Sequence, residues 1–146
     1  FGLPWHWEED RYGELLRVPG GRERLLADMA AHPDAMRDDD ARVALAASLH
    51  KLKNAHYARL VDAGAVQLRP GVRELMDDCA RAGVRMGIAT TTSRDNVHAL
   101  LDASFGAQGR KRFDAIVCAE DAPVKKPDPQ VYLQCLRRLG LTPRET

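Results

Sequence analysis

Two short apolar runs, Val84-Arg85-Met86-Gly87-Ile88-Ala89 and Phe113 to Ala119, constrain this chain more than any other feature. Each is brief, rich in aliphatic residues and set between helix-patterned stretches, which is the pattern of a buried strand. Pro70-Gly71 opens a helix through Ala82, with Val72, Leu75, Met76 and Cys79 facing inward and Gly83 closing it. Thr90-Thr91-Thr92-Ser93 leads into a helix from about Arg94 to Ala103, and a loop follows at Gly106 to Gly109. Asp128-Pro129 begins the last helix, with Asp as N-cap and Pro at the first helical position, and Gly140 ends it. Helix and strand alternating at this spacing predict an α/β fold, part of a doubly wound parallel sheet with helices on both faces.

Residues 1–66 carry no strand pattern. The spacing predicts helices over Trp7 to Arg17, closed by Pro19-Gly20-Gly21, and over Arg22 to Ala31, with Leu25, Leu26 and Met29 on one face. A long third helix runs from Asp38-Asp39-Asp40 to Asp62 and stops at Gly64. Its acidic start suits the positive helix N-terminus, and Val43, Ala46, Ala47, Leu49, Leu52, His56 and Leu60 form an apolar stripe. Trp5 and Trp7 are expected to pack within this half. The organisation read from the sequence is a helical module over 1–66 beside a partial α/β core over 67–146. Phe1 in place of an initiator Met, and an end at Thr146 where the next strand would begin, read as a chain that continues at both ends.

Charge narrows the partners. Lys+Arg 22 against Asp+Glu 21 leaves +1, so no overall field favours nucleic acid or an anionic membrane, and anion recognition must be local. Cys79, Cys118 and Cys135 are odd in number and widely spaced in apolar stretches, as expected of reduced thiols in a cytoplasmic protein. No signal peptide and no long uncharged apolar run is evident. His6, His32, His50, His56 and His98 lack metal spacing and are expected in packing or at the surface.

Ligands of parallel α/β sheets bind beyond the carboxyl ends of the strands. Thr90 stands where the first strand exits, so its hydroxyl, the neighbouring backbone N–H groups and the positive end of the next helix can face one phosphate. Lys126 follows the second strand, in a loop restricted by Pro127 and Pro129. An ammonium there neutralises phosphate charge and stabilises phosphoryl transfer. Taken singly, Thr90 to Ser93 is a helix-capping cluster and Lys126 a solvated lysine. The order strand, Thr, helix, strand, Lys-Pro, helix is more specific than either. Asp38-Asp39-Asp40 reads as a solvated helix start, and Glu120-Asp121 as a metal candidate without a third ligand.

On Ile88-Ala89-Thr90-Thr91-Thr92-Ser93 and Lys126-Pro127 the chain resembles haloacid-dehalogenase-type phosphatases, matching their second and third motifs. Arg11-Tyr12-Gly13-Glu14-Leu15-Leu16, Gly20-Gly21-Arg22-Glu23-Arg24 and Leu68-Arg69-Pro70-Gly71 are similar to the CbbY-type sugar-phosphate phosphatases of that family. The resemblance implies an aspartate nucleophile that forms an aspartyl-phosphate, a second aspartate as general acid/base, and Mg²⁺. It places the first motif, Asp-x-Asp-Gly-Thr, ahead of the helical half and the acidic fourth motif after Thr146. No Asp-x-Asp-Gly run occurs in the sequence. Thr90 and Lys126 are therefore the catalytic residues expected here, with no metal ligand, and the chain as given is expected to lack turnover.

The resemblance also makes residues 1–66 a cap domain that selects the substrate, a small phosphorylated sugar. Gly21, Arg22 and Arg24 suit a second phosphate, since glycine admits an anion to the backbone and guanidinium forks bind it. Tyr12 is expected at the sugar, and Thr91, Thr92 and Arg94 near the reacting phosphate. Arg22 stands where the CbbY-type pattern has Lys, which keeps charge and changes geometry. Xylulose-1,5-bisphosphate is the substrate that the resemblance implies. A phosphoglycolate phosphatase or sugar phosphomutase of the same fold is the alternative. Readings of another class are a non-catalytic phospho-ligand binding module and an interaction protein built on the helical half.

Overall fold

Glycine and proline punctuation divides the chain into helices α1 (Glu9–Leu15), α2 (Gly21–Ala31), α3 (Asp39–Asp62), α4 (Val72–Arg81), α5 (Arg94–Phe105) and α6 (Gln130–Leu139), with strands β1 (Gly87–Ala89) and β2 (Ala115–Val117). This is a computed structural model that describes residues 6–31 and 38–144, so Trp5 and His32 lie outside the described residues. The chain forms two compact units, Phe1–Lys53 and Asn54–Thr146, and their boundary falls inside α3. Among the described residues no helix is long and apolar enough to cross a membrane.

In the first unit α1 is shorter than predicted. Trp7 stands ahead of it and donates its indole N–H to Asp28 Oδ2 at 2.6 Å. After Leu15 the chain turns away, and Arg24 captures the freed carbonyls of Leu15 (2.9 Å) and Val18 (3.3 Å). Gly20 takes φ 96°, a left-handed conformation that favours glycine, and a Cβ on Gly21 would meet the His50 ring at 3.0 Å. Asp28 is buried on α2 and is paired with Arg11 of α1 at 2.6 Å. A buried carboxylate is tolerated only with such partners.

Asp38 Oδ1 accepts from the N–H groups of Asp40 (2.9 Å) and Ala41 (3.3 Å), capping α3 as its acidic start implied. The apolar stripe of α3 is corrected in part: Ala46 and Leu49 turn inward as predicted, and its other members do not. Val43, Leu52 and Leu60 are exposed, with Ala47 and His56, whereas Leu45, Ala46, Leu49, Tyr57, Ala58 and Val61 turn inward. The two sets lie about one residue apart around the helix, close enough for composition alone to select the wrong one.

The second unit centres on a two-stranded parallel sheet, with Gly87 beside Ala115, Ile88 beside Ile116 and Ala89 beside Val117. Alternate side chains serve opposite faces. Ala115 and Val117, with Ala89, pack against Val131, Cys135 and Leu139 of α6. Ile88 and Ile116 join Val97 and Leu101 of α5 on the other face. Both strands are shorter than the apolar runs that predicted them. Val84 is exposed, its N–H bonded to Cys79 O at the end of α4, and sheet pairing starts only beyond Met86. Of the predicted inward set of α4, Met76 is buried and Val72 and Cys79 are half-buried, whereas Leu75 is 64% exposed.

The expected loop at Gly106 to Gly109 is a 3-10 helix, Gly106–Arg112. Asp128 and Pro129 start α6 one position later than predicted: Pro129 is the N-cap, and Asp128 Oδ1 accepts from Gln130 N–H at 2.8 Å. All three cysteines are free, and burial pushes the thiols of Cys118 and Cys135 up.

Candidate functional site

Parallel pairing brings the exits of β1 and β2 to one end of the sheet, and the pairing runs on past the strands. Thr90 N–H donates to Val117 O at 3.0 Å, and Ala119 N–H donates to Thr92 O at 2.9 Å. Thr90 Oγ1 accepts from Thr92 N–H at 3.2 Å, which turns the chain tightly. The Thr90 hydroxyl proton is spent on none of the described residues, and neither is the Thr91 N–H. Both are donors at a strand end, where an anion is received.

The positive end of α5, expected to face the phosphate, is partly occupied. Ser93 caps it by accepting from Asn96 N–H, and Arg94 N–H is covered by Glu120, whose two carboxylate oxygens lie 3.1 Å away. Thr92 is committed as well, its Oγ1 accepting from Asn96 Nδ2 at 3.2 Å. Asn96 is buried, and the signal that marks it is a side-chain amide in the first turn after a Ser/Thr cluster.

Lys126 lies half-buried in the loop between β2 and α6, joined to Pro127 by a cis peptide. Its ammonium sits over the Tyr132 ring, 5.5 Å from the centroid, and no carboxylate of the described residues pairs with it. Gln130 Oε1 accepts from Val124 N–H at 2.9 Å and closes the same loop.

Glu120-Asp121 is not a metal pair. Asp121 Oδ1 accepts from Arg94 Nη2 and Arg138 Nη2, each at 2.7 Å, and Oδ2 accepts from Cys118 N–H at 2.9 Å. The Cys118 N–H first, then Arg138 and Arg94, hold this carboxyl down from an ordinary 3.8 to about 2. Among the described residues no group of three or more His, Cys, Asp or Glu is placed to hold a metal ion.

The candidates of the first unit divide in the same way. Arg24 is spent on backbone carbonyls and lies over the Tyr12 ring at 5.3 Å, with Nη1 donating to the Tyr12 hydroxyl at 3.3 Å. Arg22 is exposed beside Gly21 and engages none of the described residues. A separate cleft lined by Val61, Leu68, Arg69, Gly71, Arg73 and Ser104 lies at the far end of α5 from Thr90. Arg73 there is held by Ser104 O and the Phe105 ring.

Comparison with known proteins accords with this geometry. The family profile of haloacid dehalogenase-like hydrolases matches residues 2–146. The chain is 44% identical over 141 residues to the plasmid protein CbbY of Cupriavidus necator, covering 96% of this chain and 55% of that protein. It is 42% identical to CbbY of Rhodobacter capsulatus, covering 97% of this chain and 60% of the relative. A crystal structure of a CbbY variant from Rhodobacter sphaeroides in complex with xylulose-(1,5)bisphosphate superposes with a TM-score of 0.82 at 36% identity, over 98% of this chain and 61% of that one. This chain thus spans somewhat over half the length of the CbbY proteins it matches. On the breadth of the family match, the chain belongs to the haloacid dehalogenase-like hydrolases.

Proposed function

We propose that this chain is the phosphate-gripping part of a phosphatase acting on a small phosphorylated sugar, with xylulose-1,5-bisphosphate as the substrate. The observation that carries the reading is the pair of strand exits: among the described residues, Thr90 and Thr91 present unspent donors after β1, and Lys126 after β2 presents an ammonium that no carboxylate pairs. Donors fixed before a phosphoryl group arrives need no reorganisation when charge develops on it. The CbbY relatives and the bisphosphate in the matched crystal structure support this choice of substrate. A second phosphate requires a second cation, and Arg22 beside Gly21 is an exposed arginine of the helical half that engages none of the described residues. Tyr12 and Arg24 shape that turn, and residues 1–66 act as the cap domain of a doubly wound core.

Mg²⁺ belongs to this chemistry through the family, but the described residues do not fit it, because Glu120 and Asp121 already serve Arg94, Arg138 and the Cys118 N–H. The sequence has no Asp-x-Asp-Gly run and the described residues no metal-holding cluster, so the 146-residue chain is expected to release no phosphate. In the full-length protein, Lys126→Ala is expected to lower kcat about 100-fold for mono- and bisphosphates alike. Arg22→Ala is expected to raise KM for the bisphosphate selectively. Steady-state phosphate release checks both, and a Lys126→Ala variant with full turnover would remove the basis of the reading.

A further inference from the structure

We infer that Asp121 is a positioning residue of the phosphate site, acting through Arg94. This rests on the proposed phosphate reading and adds an acid that does not itself bind phosphate. The bonds from Thr90 N–H to Val117 O and from Ala119 N–H to Thr92 O tie the two strand exits together along their backbones. They do not fix the first turn of α5, which must stay in place for Thr90 to Ser93 to hold their course.

Beside the Ser93 cap and the Glu120 bond to the Arg94 N–H, Asp121 adds a restraint on the Arg94 side chain. Its side chain is 12% exposed and joins three elements: Arg94 at the start of α5, the Cys118 N–H at the exit of β2, and Arg138 on α6. Arg138 has a second anchor, Nη1 to Ile116 O at 2.6 Å, while Asp121 is the carboxylate that the Arg94 guanidinium meets. Arg94 is also the residue whose backbone N–H Glu120 covers, so guanidinium and amide are held by consecutive acids. Arg94 directly follows Thr90-Thr91-Thr92-Ser93, and α6 directly follows the Lys126 loop. One carboxylate therefore couples the segment bearing the phosphate donors to the helix that anchors the lysine loop. Neutralising it leaves two guanidinium groups that shared one oxygen without their common anion, and the Arg94 guanidinium, which has no other partner among the described residues, moves. A displacement on the order of 1 Å in a positioned phosphate group costs roughly 100-fold in rate.

The test uses the full-length protein, well below its melting temperature, with inorganic phosphate as the binding probe. Asp121→Asn is expected to weaken inhibition by phosphate and lower kcat/KM by about tenfold or more. Arg94→Gln should give a similar loss, the double variant no more than either alone, and Asp121→Glu should recover part of the activity. Unchanged phosphate inhibition in Asp121→Asn, or losses that add in the double variant, would overturn the role. Should Asp121→Asn fail to fold, Arg94→Gln decides alone, and parental phosphate inhibition in it overturns the inference. Thr90→Ala and Lys126→Ala are measured beside them. If those two keep full turnover, the phosphate reading itself fails; if they lose it while the Asp121 variants do not, only the positioning role fails.

Discussion

A Cβ on Gly87 would lie 2.7 Å from Cys135 Sγ and 3.2 Å from Leu139 Cδ1, so the missing methyl group is what lets α6 close on the sheet. Gly87→Ala is expected to cost about 1–3 kcal/mol by overpacking. Gly87→Ala with Cys135→Ala should recover part of that loss, as urea denaturation would measure. An equal loss in the double variant would mean that the sulfur is not what the methyl meets. The sequence carries Gly87 only as one member of an apolar run, because alternation reports which face a residue serves and not how near the neighbouring helix comes. Thr90 and Lys126 are legible for the opposite reason, since each is defined by its distance from a strand end. Asp121 is visible in the sequence as an acid near the site, but its partners Arg94 and Arg138 sit on separate helices, and only the fold brings them to one oxygen.

At the level of elements, existence was easier to read than extent or facing. The six α-helices and two strands of the described residues follow from punctuation and periodicity, while the strands contract to Gly87–Ala89 and Ala115–Val117 because pairing needs a partner as well as apolar residues. The long helix shows the limit most clearly. Its predicted stripe holds Ala46 and Leu49, which turn inward, and Val43, Leu52 and Leu60, which do not, while Leu45 and Val61 outside it are inward, and only packing chooses among them. In the 146-residue chain, Leu52→Gln should change stability by less than about 0.5 kcal/mol, because Leu52 is 48% exposed. Val61→Asp, at a fully buried position, should lose several-fold more, about 3 kcal/mol or above. Urea midpoints of the two variants check the assignment, and the reverse ranking would restore the stripe read from the sequence.

For the molecule as a whole, the division between Lys53 and Asn54 makes a prediction that secondary structure alone would not. A single helix of 24 residues would ordinarily be expected to open as one piece, yet the two ends of α3 belong to different compact units. The interior of the first unit is organised around Asp28, which receives the Trp7 indole and the Arg11 guanidinium. Asp28→Ala leaves both donors without that acceptor, and an unmet buried donor costs roughly 1–3 kcal/mol. The loss should appear as local opening of that unit, since cooperative units open separately. Native-state hydrogen exchange of Asp28→Ala is therefore expected to quicken about tenfold or more in α1, α2 and the amides of α3 up to Lys53. Exchange in β1, β2, α5 and α6 should stay at parental rates, because their clusters around Val117 and Val97 contain no residue of the first unit. Uniform acceleration across all of these segments would make the chain one cooperative unit and remove the division inside α3.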